Sequence, residues 1–518
     1  MIAMKTSLSP TLRHAFFFLL LVLFSAACRR EAVPTDRLTN RRPPIFPDYT
    51  DVTIPPNIAP LRFLLADTCE AEDAEATFEC GAVRVTIRAT EGSAFAIAPR
   101  EWKRLTKDAV GKVISVKVTA RFGGEWVGYA PFNLYVAPDS IDPYIVYGRR
   151  DPDCRVVGRM GLYERCLEDF HERPLLTNDM TRGDRIGRAT FCRNDAQRML
   201  LPLTEVYRCT LLADSGDIEK LSTHAIPDLP APTHAAWHPS GRYIAFAVDR
   251  RAQQDERETA SNIVIYDVVK HELFTSPSLF SDSASTTHPA FSPDGETLYF
   301  CATAHLATTH SNIAKYHLCA VAFNIHGGRR FGRKVDTLYR SRPAPPPAPR
   351  KKSDKTPPKR PEVRPDGSAA YPCPSPDGRY LLLTVADVGC TPADRPAADP
   401  ALYDLKRKTF LPIDTLCTDG ASEVACSWSS NGRWIVYTAR SVDGLYEYPF
   451  IAYLSSDGRP AKPFLMPLKA ADGYRRTLQS FTSPTFLTSP VPYRAYTLSR
   501  KARARDGVEI HPLKAAGK

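Results

Sequence analysis

The sequence has almost none of the short motifs that mark catalytic or membrane-spanning proteins. Across 518 residues there is no Gly-x-Ser-x-Gly, His-Glu-x-x-His or Cys-x-x-Cys motif, no glycine-rich phosphate loop and no acidic calcium loop. An apolar stretch at residues 15–24 is shorter than the roughly 20 residues that a transmembrane helix requires. These absences exclude the common hydrolase, metalloprotease and nucleotide-binding signatures. We therefore predict a non-enzymatic protein with no catalytic residue, no bound metal and no cofactor.

The apolar stretch has the length and setting of a signal peptide. Lys5 and Arg13 precede it, and Ser25-Ala-Ala-Cys28 follows it. Small residues before a cysteine resemble the bacterial lipobox, which implies that residues 1–27 are removed and that Cys28 is acylated. More than one acyl chain makes such an anchor stable. We predict a lipoprotein anchored in the bacterial cell envelope, at the outer membrane. A simple secretory peptide with an Ala-x-Ala-like cleavage site is the alternative.

Cysteine usage agrees with export. Thirteen cysteines are present, and without Cys28 an even number remains. Taken in order, these twelve form neighbouring pairs whose short separations suit disulfides between adjacent strands or across loops. Buried thiols are the alternative to disulfides, and metal binding is disfavoured without Cys-x-x-Cys. The candidate disulfide residues are Cys69, Cys80, Cys154, Cys166, Cys192, Cys209, Cys301, Cys319, Cys373, Cys390, Cys417 and Cys426.

The clearest positive signal is a repeated tight turn between β-rich runs. Its four copies are His238-Pro-Ser-Gly241, Ser292-Pro-Asp-Gly295, Ser375-Pro-Asp-Gly378 and Ser429-Ser-Asn-Gly432. Each copy ends in a glycine that can adopt positive φ, and the flanking residues are aromatic or β-branched, as in hairpins. The turn-forming residues are therefore Gly241, Asp294, Gly295, Asp377, Gly378, Asn431 and Gly432. A weaker fifth copy begins at Cys192 and lacks the glycine.

The spacing of these turns predicts the architecture. The four glycines are separated by 54, 83 and 54 residues, and the long interval contains a Pro/Lys/Arg-rich insertion at 342–365. Without the insertion the period suits one four-stranded blade of a β-propeller, and hairpins that cannot bury their own faces must stack on their neighbours. A β-sandwich with coincidental turns is the alternative.

The repeats resemble those of TolB-like β-propellers. Phe291-Ser-Pro-Asp-Gly-Glu-Thr-Leu-Tyr-Phe300 is the best copy, and the mature chain is similar to a family of bacterial TolB-like propeller lipoproteins. Many members of that family carry a Cys-x-x-Cys-His haem motif before the first blade. The corresponding segment here, residues 184–192, has neither the paired thiols nor the histidine, so covalent haem is not expected.

The fold class predicted from these patterns is all-β, with an N-terminal β-sandwich followed by a five- or six-bladed TolB-like β-propeller. Short alternating runs between Phe63 and Tyr147 predict the sandwich. Two short helical segments are expected at Pro99–Leu105 and Leu162–Phe170. The predicted domains are a signal peptide (1–27), a Pro-rich tether (28–55), the sandwich (56–150), a connecting segment (151–184), the propeller (185–500) and a basic tail (501–518).

Six histidines lie in the first half of the predicted propeller, at positions 234, 238, 288, 310, 317 and 326. A metal or proton role is conceivable for them, but their irregular spacing favours packing between blades. The turn aspartates Asp294 and Asp377 could similarly act as acids, but residues of this kind usually cap their own turn.

Charge is concentrated rather than spread. The net charge is +11, and residues 342–365 contain eight Lys/Arg against two acidic residues, which accounts for more than half of it. No aromatic residues are interleaved with these charges, so nucleic acid is not an expected partner. The insertion is either a plain solvated loop or an arm that binds an anionic polymer.

The predicted function follows from the architecture. The rigid loop ring of a propeller favours protein or peptide binding, so we predict a non-enzymatic scaffold for an unidentified envelope protein or peptide, attached to the membrane through its N-terminal lipid. Two alternatives belong to other classes. One is a redox or haem-handling accessory protein that has lost its haem motif, and the other is a hydrolase of an envelope polymer that uses scattered carboxylates.

Overall fold

The computed structural model describes most of the chain, and strands dominate it. The described residues are 37–514, without 67–70, 91–93, 153–157, 223–231, 250–260, 305–313, 327–329, 342–366, 390, 392–397, 419–420 and 509. Among them no helix is both long enough and apolar enough to cross a membrane.

Two sheets and one helix form the N-terminal domain. Its elements are β1 (Arg37–Leu38), β2 (Ile45–Phe46), β3 (Val52–Ile54), β4 (Phe63–Leu65), β5 (Asp73–Cys80), β6 (Val83–Arg88), β7 (Ala94–Phe95), α1 (Pro99–Asp108), β8 (Val113–Phe122), β9 (Glu125–Gly128) and β10 (Phe132–Val136). Strands β1, β9, β8, β10 and β3 lie side by side, with β5 and β6 joined to β8, and β2, β4 and β7 form the second sheet.

Alternating burial explains why these strands pack face to face. Ile114, Val116 and Val118 of β8 are fully buried, and the residues between them are more exposed, as expected for a sheet with one covered face. Helix α1 starts with Pro99, whose missing N–H is tolerated in the first turn, and it buries Trp102. The indole N–H of Trp102 donates to the Ile58 carbonyl at 2.8 Å, so this large side chain leaves no unsatisfied polar atom.

Six sheets follow and form the propeller, five with four strands and one, blade 3, with a fifth strand added to its four. Their strands are β11 (Tyr144–Arg150), β12 (Met160–Cys166), β13 (Glu172–Thr177), β14 (Thr190–Cys192), β15 (Asp195–Leu203), β16 (Cys209–Asp214), β17 (Asp217–Ser222), β18 (Pro232–Trp237), β19 (Tyr243–Asp249), β20 (Ser261–Asp267), β21 (Glu272–Phe274), β22 (Ala284–Phe291), β23 (Thr297–Ala304), β24 (His317–Phe323), β25 (Phe331–Tyr339), β26 (Ser368–Pro374), β27 (Tyr380–Ala386), β28 (Ala398–Asp404), β29 (Thr409–Leu411), β30 (Glu423–Trp428), β31 (Trp434–Ala439), β32 (Tyr448–Tyr453), β33 (Phe464–Leu465) and β34 (Ser480–Leu487). Two one-turn 3-10 helices lie at Asn178–Thr181 and Asp414–Leu416.

The first blade is completed by the end of the chain. Strand β34 pairs antiparallel with β11 and supplies the inner strand of a sheet ordered β34-β11-β12-β13. Blades 2 to 6 are consecutive, with inner strands β14, β18, β22, β26 and β30. Three short elements complete the fold: α2 (Gly473–Arg476), α3 (Ala495–Arg503) and β35 (His511–Lys514). The predicted all-β class, with a sandwich followed by a propeller, is confirmed, and the blade number is six.

Three sequence expectations about segments differ from this arrangement. Residues 151–184 are not a connecting segment, because β12 and β13 are two strands of blade 1. Leu162–Phe170 is not helical, since β12 pairs with β11 along its whole length. The expected tail at 501–518 contains β35, which adds to blade 3 beside β21, and Ile510 is buried there. In each case pairing with a distant strand decides the structure.

One buried carboxylate joins the sandwich to the propeller. Asp142 lies between the two domains and is only 6% exposed. Its carboxylate accepts hydrogen bonds from the backbone N–H of Ser430 at 2.8 Å and from the Asn194 side-chain amide at 3.3 Å. Ser430 belongs to the turn of blade 6 and Asn194 to the turn of blade 2. Asp142 therefore fastens these two blades together across blade 1.

Candidate functional site: an axial cavity

The repeated turns form a ring at one end of the propeller axis. The four turn glycines have φ between +67° and +80°, and each glycine N–H donates to the carbonyl three residues earlier at 2.9 Å. In three copies the side chain of Asp294, Asp377 or Asn431 accepts bonds from the hydroxyl of the first turn serine and from a backbone N–H. These residues lie in local turn networks, and Asn431 also donates to the Ser140 carbonyl.

Below this rim, the inner strands are interrupted by bulges at the same level. Pairing shifts register between Thr287 and Ala290 in blade 4 and between Ala370 and Cys373 in blade 5. The residues released from pairing include His288 and Tyr371, whose φ angles are +49° and +51°. Positive φ is costly for residues with a side chain, and more so before proline, which follows both. Such strain clusters at functional sites, and bulges re-aim side chains.

The bulges bring two imidazoles together in the cavity wall. His234 comes from the bulged strand β18 of blade 3, and its Nε2 lies 3.2 Å from Nε2 of His288 in blade 4. Their ring centroids are 4.2 Å apart and the planes cross at 76°. Tyr371 of blade 5 lies against both rings, with centroid distances of 4.3 Å to His288 and 5.6 Å to His234. Three consecutive blades thus each contribute one side chain to a single cluster, the His-His-Tyr cluster.

One atom of this cluster lacks a hydrogen-bond partner. His288 is 3% exposed, and its Nδ1 is fully buried without a bond to any described residue. Whichever tautomer forms the contact with His234, a ring nitrogen of His288 stays unsatisfied. An unmade bond of this kind costs about 1–3 kcal/mol. Such a group calls for an explanation, such as a catalytic role or a bound molecule that supplies the missing partner.

All six blades contribute residues to the wall of the cavity. The cavity has a volume of about 230 Å³, and its wall includes Arg188, the His-His-Tyr cluster, Ser427 of blade 6 and Thr485 of β34. A vestibule of about 290 Å³ lies between the cavity and the turns, lined by Trp237, Phe291, Pro293, Pro374 and Pro376 among others. Arg188 lines the cavity but not the vestibule.

The cavity is cationic. Arg188 and Arg193 are among the lining residues, whereas no aspartate or glutamate is present among the described residues that line the cavity or its vestibule. The guanidinium of Arg188 lies 5.8 Å from the centre of the Tyr371 ring. Among the described residues there is also no cluster of three or more side chains suited to hold a metal ion. This charge pattern suits an anionic ligand.

Burial keeps both imidazoles neutral. It lowers the pKa of His234 to about 3, and it lowers the pKa of His288 well below its ordinary value, with the neighbouring Arg188 acting in the same direction. A neutral imidazole presents one lone pair that can accept a proton or bind a hydrogen-bond donor. The one thiol in the wall is less suited to chemistry, because burial raises the pKa of Cys373 to about 11 and disfavours the thiolate.

The predicted role of the histidines as blade-packing residues fits some of them but not this pair. His238 is satisfied by Ser240 at Nδ1 and by the Gly295 carbonyl at Nε2. His317 accepts a bond from the backbone N–H of Ser341. His326 is exposed, and His310 lies outside the described residues.

The shared position of these residues within the sequence repeat could have identified the His-His-Tyr cluster. His234, His288 and Tyr371 each lie four residues before the first residue of their turn motif. Equal repeat positions face the same direction in a propeller, so the three side chains meet on the axis although they are far apart in sequence. Sequence reasoning missed Tyr371 and Arg188, because neither belongs to a local catalytic motif.

Two of the predicted disulfides are corrected by strand geometry. Cys301 lies opposite Leu318 and Cys319 lies opposite Phe300, so the two cysteine side chains point to opposite faces of blade 4. Cys192 and Cys209 likewise belong to different core clusters on the two faces of blade 2. Each of the other four pairings includes a cysteine whose side chain is outside the described residues, at 69, 154, 390 or 426.

Two further predicted features cannot be placed in the fold. The acylated Cys28, with the signal peptide before it, and the basic insertion at 342–365 lie outside the described residues.

Comparison with known proteins finds solved structures of similar fold at low sequence identity. No protein-family model and no curated protein sequence matches the chain. The tricorn protease is 11% identical with a TM-score of 0.35, covering 69% of this chain and 34% of its own. A structure from a study of two prolyl endopeptidases is 11% identical, with a TM-score of 0.33 and coverage of 62% and 42%. Dipeptidyl peptidase 4 of Porphyromonas gingivalis is 10% identical, with a TM-score of 0.28 and coverage of 59% and 48%. The chain spans less than half the length of these proteins.

These similar structures correct the predicted scaffold function. Enzymes recur among the similar structures, as peptidases, an oligogalacturonate lyase and a GH74 enzyme, and this finding contradicts the prediction that the protein is not an enzyme. The physical reason for the error is that we searched for motifs within single segments. The side chains that line the cavity come from separate blades and are brought together only by ring closure. At these identities the likeness describes the fold, and the proposal that follows depends on the cavity.

Proposed function

We propose that the protein is a hydrolase of a peptide-containing polymer of the cell envelope, with the axial cavity as its active site. The observation that carries this proposal is the His-His-Tyr cluster, in which strained backbone holds two neutral imidazoles together and leaves a buried nitrogen of His288 without a partner. Strain and an unmade hydrogen bond are both unfavourable for folding, so their occurrence in one cavity supports a functional role.

The cavity residues supply two of the functions that amide hydrolysis requires. One imidazole of the pair takes a proton from water as the water oxygen bonds to the carbonyl carbon, and that proton passes to the amine when the C–N bond breaks. Arg188 balances the negative charge that develops on the substrate. The carboxylate-based mechanism considered from the sequence is replaced, since no acidic side chain is present among the described residues of the wall.

Substrate binding also changes the pKa of the imidazole that acts as the base. In the empty cavity the low pKa of His234 makes its imidazole a weak base, because burial and Arg188 both oppose protonation. An anionic substrate beside the pair raises this pKa, since an opposite charge favours the imidazolium form. Proton transfer is therefore favoured when a ligand is bound.

Incubation of the purified full-length chain with short peptides and with solubilised envelope polymer tests the proposal. Mass spectrometry should detect new amino termini, and His288→Asn and His234→Asn should lower the cleavage rate by about 10²–10⁴-fold. His326→Asn makes the same exchange at an exposed position and should leave the rate unchanged. Absence of cleavage, or cleavage that persists in His288→Asn, contradicts the proposal.

Further proposals concern the repeat type and the location of the protein. The turn motif and its aromatic flanks support assignment of the blades to the TolB-like type. The N-terminal pattern ending in Cys28 supports export and lipid anchoring at the outer membrane, and the charge of residues 342–365 supports contact with an anionic polymer. Metabolic labelling with a palmitate analogue, compared between the wild type and Cys28→Ser, tests the anchor.

A further inference from the structure

We propose that the axial cavity recognises the free carboxylate at the C-terminus of a peptide whose preceding residues are apolar. This inference names the substrate class of the proposed hydrolase and therefore rests on that function. It follows from the different chemistry of the two compartments, which lie one behind the other on the propeller axis.

The inner compartment selects an anion. Arg188 lines it beside Tyr371, Arg193 lines it as well, and none of the described lining residues is a carboxylate. His288 adds a buried ring nitrogen that no described protein atom bonds, which leaves hydrogen-bonding capacity for a ligand. A carboxylate suits this lining, because its negative charge complements the two arginines, Arg188 and Arg193, and its oxygens accept a hydrogen bond from the His288 nitrogen in the tautomer that protonates that nitrogen.

The vestibule selects an apolar chain. Its described lining consists of Trp237, Phe291, four prolines, the cationic Arg193 and three polar residues whose hydroxyl or amide groups are already engaged within the protein. The Asn194 amide donates to the carbonyls of Trp428 and Phe486, both at 2.9 Å. The hydroxyl of Ser292 donates to Asp294, and that of Ser430 donates to Asp142.

Because these polar groups of the vestibule already have hydrogen-bond partners, the vestibule suits an apolar peptide better than a sugar. A sugar ring in the vestibule would lose water from its hydroxyl groups and find few partners in return, which costs free energy for each unpaired group. An apolar peptide side chain loses nothing of this kind and gains from burial. The vestibule and the cavity share part of their walls, including Arg193, Trp237 and Phe291, so one extended ligand can occupy both.

Calorimetric titration of the full-length protein with three probes tests the inference. The probes are the peptide acetyl-alanyl-alanyl-leucine with a free carboxylate, the same peptide as its C-terminal amide, and the acidic oligosaccharide trigalacturonate. We expect the free acid to bind at least about tenfold more tightly than the amide, and more tightly than the sugar. This comparison uses the wild-type chain and does not depend on any variant.

Two arginine variants locate the effect. Arg188→Gln should reduce the preference for acid over amide to about twofold or less, whereas Arg185→Gln should keep it, because Arg185 pairs with Glu205 outside the cavity. Equal binding of acid and amide by the wild type, or tighter binding of trigalacturonate, overturns the inference.

Mass spectrometry of the same mixtures separates the two proposals. If the acid peptide binds selectively but is not cleaved, carboxylate recognition stands and the hydrolase proposal fails for this substrate. If peptides are cleaved without any preference for the free acid, the hydrolase proposal stands and carboxylate recognition fails.

Discussion

Two regions of the inner strands both contain backbone with positive φ: the rim, which the four turns form, and the ring of bulges a few residues before the turns. They place this backbone on different residue types. At the rim, left-handed backbone falls on glycine, and every polar group that shapes the turn has a local partner. In the ring, left-handed backbone falls on His288 and Tyr371, and a buried nitrogen of His288 has no partner among the described residues. The rim is built for stability, whereas the ring retains unfavourable features that a ligand can satisfy.

The largest expected loss of stability comes from a substitution in one turn of the rim. A Cβ on Gly295 would lie 2.3 Å from Nε2 of His238, whereas a Cβ on Gly378 would meet nothing closer than 3.9 Å, at Pro293. Both glycines have strongly positive φ, so Gly378→Ala isolates the backbone strain from the steric clash. We expect Gly295→Ala to lower the free energy of unfolding by about 3 kcal/mol and Gly378→Ala by about 1 kcal/mol. Urea unfolding measures both, and equal losses would contradict the role of blade-to-blade contact.

The second largest expected loss of stability comes from a rim contact that involves no turn glycine. Asp142→Asn keeps the size of the side chain but removes the charge that accepts bonds from Ser430 and Asn194. We expect a loss of about 2 kcal/mol, because hydrogen bonds to a buried charge are stronger than neutral ones. The exposed Asp179→Asn is the matched control and should change the free energy of unfolding by less than about 0.5 kcal/mol. If Asp142→Asn behaves like this control, the carboxylate does not fasten the blades.

A third experiment uses pH to test the bulged ring. Burial lowers the folded-state pKa of His234 to about 3 and that of His288 well below its ordinary value, so between those values and about 6.5 the unfolded chain binds more protons. The stability contributed by the neutral pair is therefore complete above pH 6.5 and is lost progressively as the pH falls.

Comparison with a variant that lacks both imidazoles isolates this contribution. Between pH 7 and pH 6 the wild type should lose about 1–2 kcal/mol more stability than the double variant His234→Asn/His288→Asn. His238 and His317, whose pKa values burial also lowers, are present in both proteins, so their contributions cancel. Parallel pH profiles for the two proteins would show that the pair is not buried in the neutral form.

The smallest expected effect has the opposite sign. His288→Asn places at φ +49° a residue that tolerates the left-handed region, and it removes the unpartnered ring nitrogen. We expect this variant to be as stable as the wild type or up to about 1 kcal/mol more stable, although its hydrolytic activity is lost. Lys408→Gly is the control, since Lys408 is exposed at φ +55° far from the cavity, and it should gain stability without losing activity. A clear loss of stability in His288→Asn would indicate a packing role instead.

The sequence was most informative where structure is local. The turn motif contains its own hydrogen bonds within a few residues, so its four copies predicted propeller blades. Blade 1 could not be recognised in this way, because its inner strand β34 is not joined to β11 by a turn and comes from a distant part of the chain. The number of blades therefore stayed open between five and six.

The cavity was less predictable, for a related reason. Whether a histidine is satisfied depends on neighbours from other blades: His238 meets Gly295 of the next blade, whereas Nδ1 of His288 meets no described partner. Alternation along strands likewise decides whether cysteines with a plausible separation in sequence can meet, as Cys301 and Cys319 show. Strand pairing sets the register of each strand and the sheet face to which each side chain points. A single sequence predicts these two properties only weakly.

The pairing of β34 with β11 fixes the order in which this molecule can mature. A nascent chain that already contains five inner strands still lacks part of the cavity wall, because Thr485 and the rest of β34 follow those strands in the sequence. Contacts between such distant segments form slowly, so the cavity is among the final features to appear during folding. Proteolytic removal of the segment from Ser480 onward would consequently remove one side of the cavity wall while sparing most of the sheets, so the integrity of the cavity depends on this one strand.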